Sequence, residues 1–237
     1  MVKVYLWRQK AQRQEVKMNF VSKEYGLEFE ISGRTAMFAR PDTGICQVSY
    51  PAPTFGSLKG TAENVLFLKH AEVIPVKVEI CSPLKFAPYK FNYTGPMRKS
   101  SNIKSGDTEQ FRWIVLLDVC YRVYARTCSI GPWNGVNSGH AYQAMFNRRL
   151  KSQSYWQQPF LGVKDFTVDY IGPFREKTKV CKDINLSIDG MLLTCFPDGR
   201  NTPVRPVFFD AAIKEGVLQY PSHVNAHLFD VAENANA

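Results

Sequence analysis

A strand, a capped helix, a strand, a long polar insert, a second strong strand, a second helix and closing strands follow one another along this chain. That order predicts an α+β sandwich of the ferredoxin-like kind. Two patterns carry the prediction. Leu27, Phe29 and Ile31 alternate with Glu28, Glu30 and Ser32, so this strand has one buried and one wet face. Later, Trp113, Val115, Leu117, Val119, Tyr121, Val123 and Ala125 make one unbroken apolar face opposite Arg112, Asp118, Arg122, Tyr124 and Arg126. A strand of that length belongs in the middle of a sheet with helices on one side.

Residues 1–24 form a basic N-terminal extension, with Lys3, Arg8, Lys10, Arg13, Lys17 and Lys23 against Glu15 and Glu24. The first strand follows and is punctuated by Gly33. Past the turn-rich Arg40-Pro41-Asp42-Thr43-Gly44, Thr54 is placed to cap a helix in which Phe55, Leu58, Ala62, Val65 and Leu66 recur at helical spacing. Val73 to Ile80 reads as extended. Ser82 to Gln110 is rich in Pro, Gly, Ser and Lys and reads as a long loop or extended arm. After the central strand, Ser138 is expected to cap a helix that turns Tyr142, Met145, Phe146 and Leu150 inward. Short strands follow around Met191 to Phe196. Phe208 to Ile213 is expected to turn at Lys214-Glu215-Gly216 into Val217 to Tyr220 as a hairpin. Residues 231–237 read as a frayed tail. There is no internal repeat and no low-complexity tract.

The chain has 237 residues, 45% of them hydrophobic, which suits one domain or one domain with a small appendage. Its 30 Lys and Arg against 21 Asp and Glu leave a net charge of +9. Such an excess favours a polyanion, because each neutralised phosphate releases condensed counterions, although a merely soluble basic protein has the same composition. The six cysteines are scattered without a C-x-x-C pair, and only His223 and His227 lie close together among the histidines. No metal site is expected from that spacing, and the cysteines read as reduced, buried small hydrophobes. No apolar run approaches the roughly 20 residues of a membrane span. The first residues carry charges throughout and lack an apolar secretory core, so the expected location is the cytoplasm.

The densest functional signal lies in residues 140–162. Arg148, Arg149 and Lys151 cluster at a helix end with Tyr155 and Trp156 just beyond. Cations that track phosphate beside aromatic planes that stack on splayed bases are what single-stranded RNA requires. The bland alternative is that the cations serve the helix C-terminus and the aromatics the core. A second basic cluster combines Arg40, Tyr50 and Lys59 with Lys90, Tyr93, Arg98, Lys99 and Lys104 of the long insert, either as a clamp on a nucleic-acid end or as a solvated loop. No G-x-S-x-G, P-loop or G-x-G-x-x-G is present, and Ser57-Leu58-Lys59-Gly60 has only a faint phosphate-loop character inside a helical pattern.

Spaced segments, in order, resemble one family. ISGRTAMFARPDTG followed by VSYPAPTFGSLKGTAENVLF resembles the opening of the subtype I-C CRISPR-associated RAMP protein. HAYQAMFNRRLKSQSYWQQPFLGVKDF resembles that family's middle block, and IDGMLLTCF and PVFFDAAIKEGVLQYP resemble its closing pieces. The likeness covers roughly residues 27 to 221. It implies a ferredoxin-like (RRM-like) RNA-binding domain over 25–185, with a β-hairpin thumb inserted at about 85–110, and a small C-terminal β part over 186–230.

The resemblance also implies a function: holding the 5′ handle of the crRNA at one end of a Cascade complex, beside the backbone subunit, the large subunit and target DNA. Under it, Arg40, Tyr50, Lys59, Arg98, Lys99, Arg148, Arg149, Lys151, Tyr155 and Trp156 are the expected RNA contacts, with no cofactor. Members of the family also cut repeat RNA without metal, using an aromatic residue late in the first helix and a Lys-His or Lys-Tyr pair before M-F-x-R-R. This chain departs from that set. The first position is Leu66 and the pair is Ala141-Tyr142, with His140 one residue earlier. Leu cannot move a proton, and one residue along a helix turns a side chain by about 100°. His140 and Tyr142 are the remaining catalytic candidates, and the expectation is a non-catalytic or weakly active RNA-holding subunit. The alternatives are a repeat-processing endoribonuclease and an unrelated basic RNA-binding module.

Overall fold

A computed structural model describes residues 25–93, 100–106, 109–130, 137–196 and 203–221. The elements are β1 (Tyr25–Ala36), α1 (Phe55–Val65), β2 (Ala71–Ile80), β3 (Phe86–Tyr93), α2 (Ser100–Ser105), β4 (Glu109–Ser129), α3 (Ser138–Ser152), β5 (Tyr170–Gly172), β6 (Leu186–Thr194), β7 (Val207–Lys214) and β8 (Val217–Gln219). The fold is α+β, and the sheet order is β5-β1-β4-β2-β8-β7-β6, with β3 joined to β4 alone. Each of these strand pairs is antiparallel.

β4 lies at the centre, as its apolar pattern predicts. Its C-terminal half pairs with β1 on one side and β2 on the other, matching Phe29 to Val123 and Val78 to Val123. On that face Leu27, Phe29, Ile31, Tyr121 and Val123 are buried beneath both α1 and α3. Phe29 meets Phe146 of α3 edge-on at 5.5 Å, and Tyr142 stacks beside Phe146 at 6.0 Å. Burying each such aromatic stabilises the fold by roughly 1.5–3 kcal/mol.

Three local expectations are corrected. The apolar face of β4 is not unbroken, because Asp118 takes a left-handed conformation (φ 52°) and the alternation changes face there. Leu116 joins the main core with Val119 and Tyr121, whereas Val115 packs with Met37 and Phe166 in a second cluster that Trp113 and Leu117 flank. Gly33 does not end β1. It sits inside the strand, and a Cβ there would stand 2.6 Å from Leu161 Cδ1, so the small residue lets the 161–169 segment pack against the sheet. That segment comes so close at Gly162 (φ 88°) that a Cβ would overlap the Met37 carbonyl. Finally, Asn137 rather than Ser138 caps α3, its side chain accepting from the N–H groups of Gly139 and His140. The Ser138 hydroxyl instead donates to the His70 carbonyl at 2.6 Å.

The Pro- and Lys-rich insert is a β-hairpin arm rather than a loop. β3 pairs residue for residue with the first half of β4, from Phe86–Leu116 to Tyr93–Glu109, and α2 lies between them in sequence. The C-terminal strands extend the same sheet, because β8 pairs with β2 from Lys77–Gln219 to Glu79–Val217. Glu215 and Gly216 both have positive φ (49° and 75°), the signature of a tight two-residue turn between β7 and β8. Among the described residues no helix is long and apolar enough to cross a membrane.

Candidate nucleic-acid interface

α3 is two-faced. Tyr142, Phe146 and Leu150 point into the core, while Ala144, Asn147, Arg148, Lys151 and Ser152 line an open groove on the outer side. Gln153 ends the helix in the left-handed region (φ 53°), and its N–H returns to the Arg149 carbonyl. The chain then turns along the end of α1. The N–H of Trp156 donates to Val65 O at 3.1 Å, and that of Gln157 to Asn64 O at 2.8 Å. This holds the backbone while the Trp156 ring stays 62% exposed. Tyr155 is turned the other way, half-buried against the core with its hydroxyl donating to Ile171 O at 3.3 Å. Arg149 is half committed, since its guanidinium donates to Val65 O at 3.2 Å. The structure therefore brings Arg148, Lys151 and Trp156 to the surface at one end of α3. Arg149 lies behind them, and Tyr155 serves packing.

The second predicted cluster separates into different roles. Tyr50 is a core residue at 2% exposure, with its hydroxyl donating to Gly190 O and accepting from Leu192 N. Burial pushes its ionisation up. A ring so enclosed cannot stack on a base, so Tyr50 leaves the contact set. Lys59 is ion-paired with Glu72 and only 21% exposed. Arg40 forks onto Asp42, with contacts of 2.7 and 3.1 Å, and stands 5.6 Å from the centre of the Tyr50 ring. Arg98 and Lys99 lie outside the described residues. On the arm, Lys85, Lys90, Lys104 and Arg112 are exposed. Lys90 and Arg112 sit directly opposite each other in the ladder. A like-charged cross-strand pair opposes folding, so its presence favours an external anion. The sequence reading missed Arg112, because only the strand register shows that it faces Lys90.

The catalytic candidates divide. Tyr142 is 1% exposed and donates to the Leu66 carbonyl at 2.5 Å. Both positions of the resembled catalytic set therefore do meet in space, but as buried packing residues. Tyr142 is corrected from catalytic candidate to core. His140 is exposed on α3 with its ring edge-on to Tyr25 at 5.4 Å. Among the described residues no group of His, Cys, Asp and Glu could hold a metal ion.

The opposite face of the sheet holds a charge network that the alternation misread as wet. Glu30 is fully buried. Arg175 donates to it through Nε at 2.5 Å and through its backbone N–H at 3.0 Å, and the Thr178 hydroxyl adds a bond of 2.9 Å. Burial pushes the Glu30 carboxyl up, but these hydrogen bonds outweigh it and the group stays below its ordinary value. The network pins the segment around Arg175, with its neighbours Lys177, Lys179 and Lys182, onto the sheet.

No family model matches the chain. It is 26% identical over 224 residues to the "CRISPR pre-crRNA endoribonuclease Cas5d" of Thermus thermophilus, covering 87% of this chain and 96% of that protein. It is 24% identical over 215 residues to the protein of the same description from Mannheimia succiniciproducens, covering 82% of this chain and 94% of that one. The fold resembles a solved structure described as a CRISPR-associated protein, with TM-score 0.62, 18% identity, and coverage of 83% of this chain and 92% of the other. The chain is thus a distant, nearly full-length relative of proteins named Cas5d.

Proposed function

We propose that this chain is the RNA-holding subunit of a type I-C-like CRISPR Cascade complex, acting in the cytoplasm, and that it grips the 5′ handle of the crRNA. The observation that carries the proposal is the exposed set Arg148, Lys151 and Trp156 at one end of α3, together with the opposed cations Lys90 and Arg112 on the hairpin arm. Arg148 and Lys151 engage phosphate oxygens and Trp156 stacks on an unpaired base. Arg149 and Arg40 supply field from partly committed positions. The strand order β5-β1-β4-β2, with α1 and α3 on one face, supports a ferredoxin-like domain, on which β3 and the first half of β4 form the thumb. The backbone subunit, the large subunit and target DNA are the proposed neighbours in the assembly.

The relatives carry the name of an endoribonuclease, which gives the second reading: metal-independent cleavage of repeat RNA through the 2′-OH. Leu66 and Tyr142, both buried, and Ala141 speak against it in this chain, and of the two candidates only His140 is reachable. Two measurements on the purified chain test both readings. Binding of single-stranded repeat RNA should weaken steeply with salt, and an affinity indifferent to salt refutes the phosphate grip. The bound RNA should stay intact in the presence of a chelator. A 2′,3′-cyclic phosphate product lost on His140→Ala would establish the nuclease instead.

A further inference from the structure

Three of the six cysteines, scattered in sequence, converge where β2 ends beside β4. The last ladder pair of these strands is Ile80 with Tyr121, so Cys81 and Cys120 are the next residues in register. Cys81 N–H donates to Cys120 O at 2.8 Å. Opposed residues of a hydrogen-bonded antiparallel pair have Cα atoms about 5.5 Å apart, within the roughly 4.4–6.8 Å that a disulfide spans. Both side chains leave the sheet on the polar face and are partly exposed, and the Cys81 thiol donates to Glu79 O at 3.6 Å.

The surroundings make the two sulfurs unequal. An Arg175 Nη donates to Cys120 Sγ at 3.7 Å, and the Cys120 thiol approaches Glu30 Oε1 at 3.6 Å. The neighbouring Cys81 thiol comes first in bringing the Cys120 thiol below its ordinary value. Arg175 adds to it, while burial and Glu30 oppose. The Cys81 thiol is pushed up by its neighbour Cys120 and by burial. Arg122 and Cys181 also face the pair. Cys181 is anchored by its N–H on Ile80 O at 2.9 Å.

We propose that Cys81 and Cys120 form a reactive dithiol, a modification site for peroxide-class oxidants, with Cys120 as the attacking sulfur and Cys81 as the resolving one. The Cys120 thiolate attacks a peroxide oxygen and the O–O bond breaks. The departing hydroxide takes up a proton as water, leaving a sulfenic acid on Cys120. Cys81 sulfur then displaces the sulfenic hydroxyl, forming the S–S bond, and its released proton completes a second water. Two thiols give two electrons and two protons to one peroxide. Once bonded to Cys81, Cys120 can no longer donate to Glu30.

The test uses the whole reduced chain exposed to stoichiometric hydrogen peroxide, then alkylation, digestion and mass spectrometry. The expected product is a Cys81–Cys120 linked peptide, with Cys46, Cys128, Cys181 and Cys195 alkylated. In Cys81→Ser the oxidation should stop at a sulfenic acid on Cys120 that dimedone traps, and in Cys120→Ser no such adduct should form on Cys81. Oxidation confined to the exposed Cys46, or a bridge from Cys181 to either partner, would overturn the proposal. The wild-type measurement needs no variant to fold.

Discussion

Replacing Arg148 and Lys151 together by Ala removes the two outward cations of α3 and little else. Both are exposed, and neither holds a protein partner among the described residues. The inward residues Tyr142, Phe146 and Leu150 and the Asn137 cap are untouched, so the helix should keep its packing. Each cation that neutralises a phosphate of a single strand contributes about 0.7 to the slope of log affinity against log salt. At a salt concentration near 0.1 M that corresponds to about fivefold in affinity per contact, so about 25-fold for the pair, with the slope shallower by about 1.4. Fluorescence anisotropy with a labelled single-stranded repeat RNA over a salt series measures both quantities. Lys214→Ala, an exposed cation on β7, is the control and should leave binding nearly unchanged. If the double variant loses less than about twofold while its slope matches the native chain, α3 does not touch phosphate and the proposed interface is wrong.

Trp156→Ala should weaken RNA binding by about 1–3 kcal/mol with an unchanged salt slope, since a lost stacking platform is not a lost charge; a changed slope would contradict that role. Lys90→Glu places an acid opposite Arg112, which should stabilise the arm by about 0.2–1 kcal/mol. The same change should weaken RNA binding at least fivefold, about what one phosphate contact contributes near 0.1 M salt. Improved stability with undiminished binding would remove the arm from the interface. Glu30→Gln breaks a buried pair, for which about 2 kcal/mol is expected after allowing for the half-exposed Arg175. That corresponds to a fall in Tm of about 4–8 °C at pH 7 for a chain of this size. The Glu30 carboxyl lies below its ordinary value of 4.5, so its contribution is complete above pH 4.5 and fades as pH drops through the lowered native value. Equal Tm differences at pH 7 and pH 3 would show that the charge is not what matters.

The chain displays its layers plainly because period-2 and period-3.6 apolar patterns report which side of an element is buried. Thr54 caps α1 as read, its hydroxyl oxygen accepting from Ser57 N–H at 3.2 Å, and the β7–β8 hairpin turns at Glu215-Gly216. The errors share a physical origin: each depends on what arrives from a distant part of the chain. Glu30 alternates as a solvent-facing residue, and only the return of Arg175 and Thr178, almost 150 positions later, covers it. Asp118 switches the face of β4 through one backbone conformation that composition does not announce. The insert, left open between loop and extended arm by its Pro and Lys content, is an arm whose ladder with β4 is continuous. The interface was half legible. A basic helix end followed by Tyr-Trp is visible in sequence, but which aromatic faces outward is decided by the Ile171 carbonyl, which takes Tyr155 and leaves Trp156 exposed.

The most direct test is photocrosslinking of a repeat-derived RNA carrying 4-thiouridine in its 5′ handle, with the attached peptides identified by mass spectrometry. The account predicts adducts within residues 144–156 and on the β3–β4 arm, with Trp156 the most heavily labelled. Adducts confined to β6 and β7, or none on this chain when it sits in the assembled particle, would contradict it.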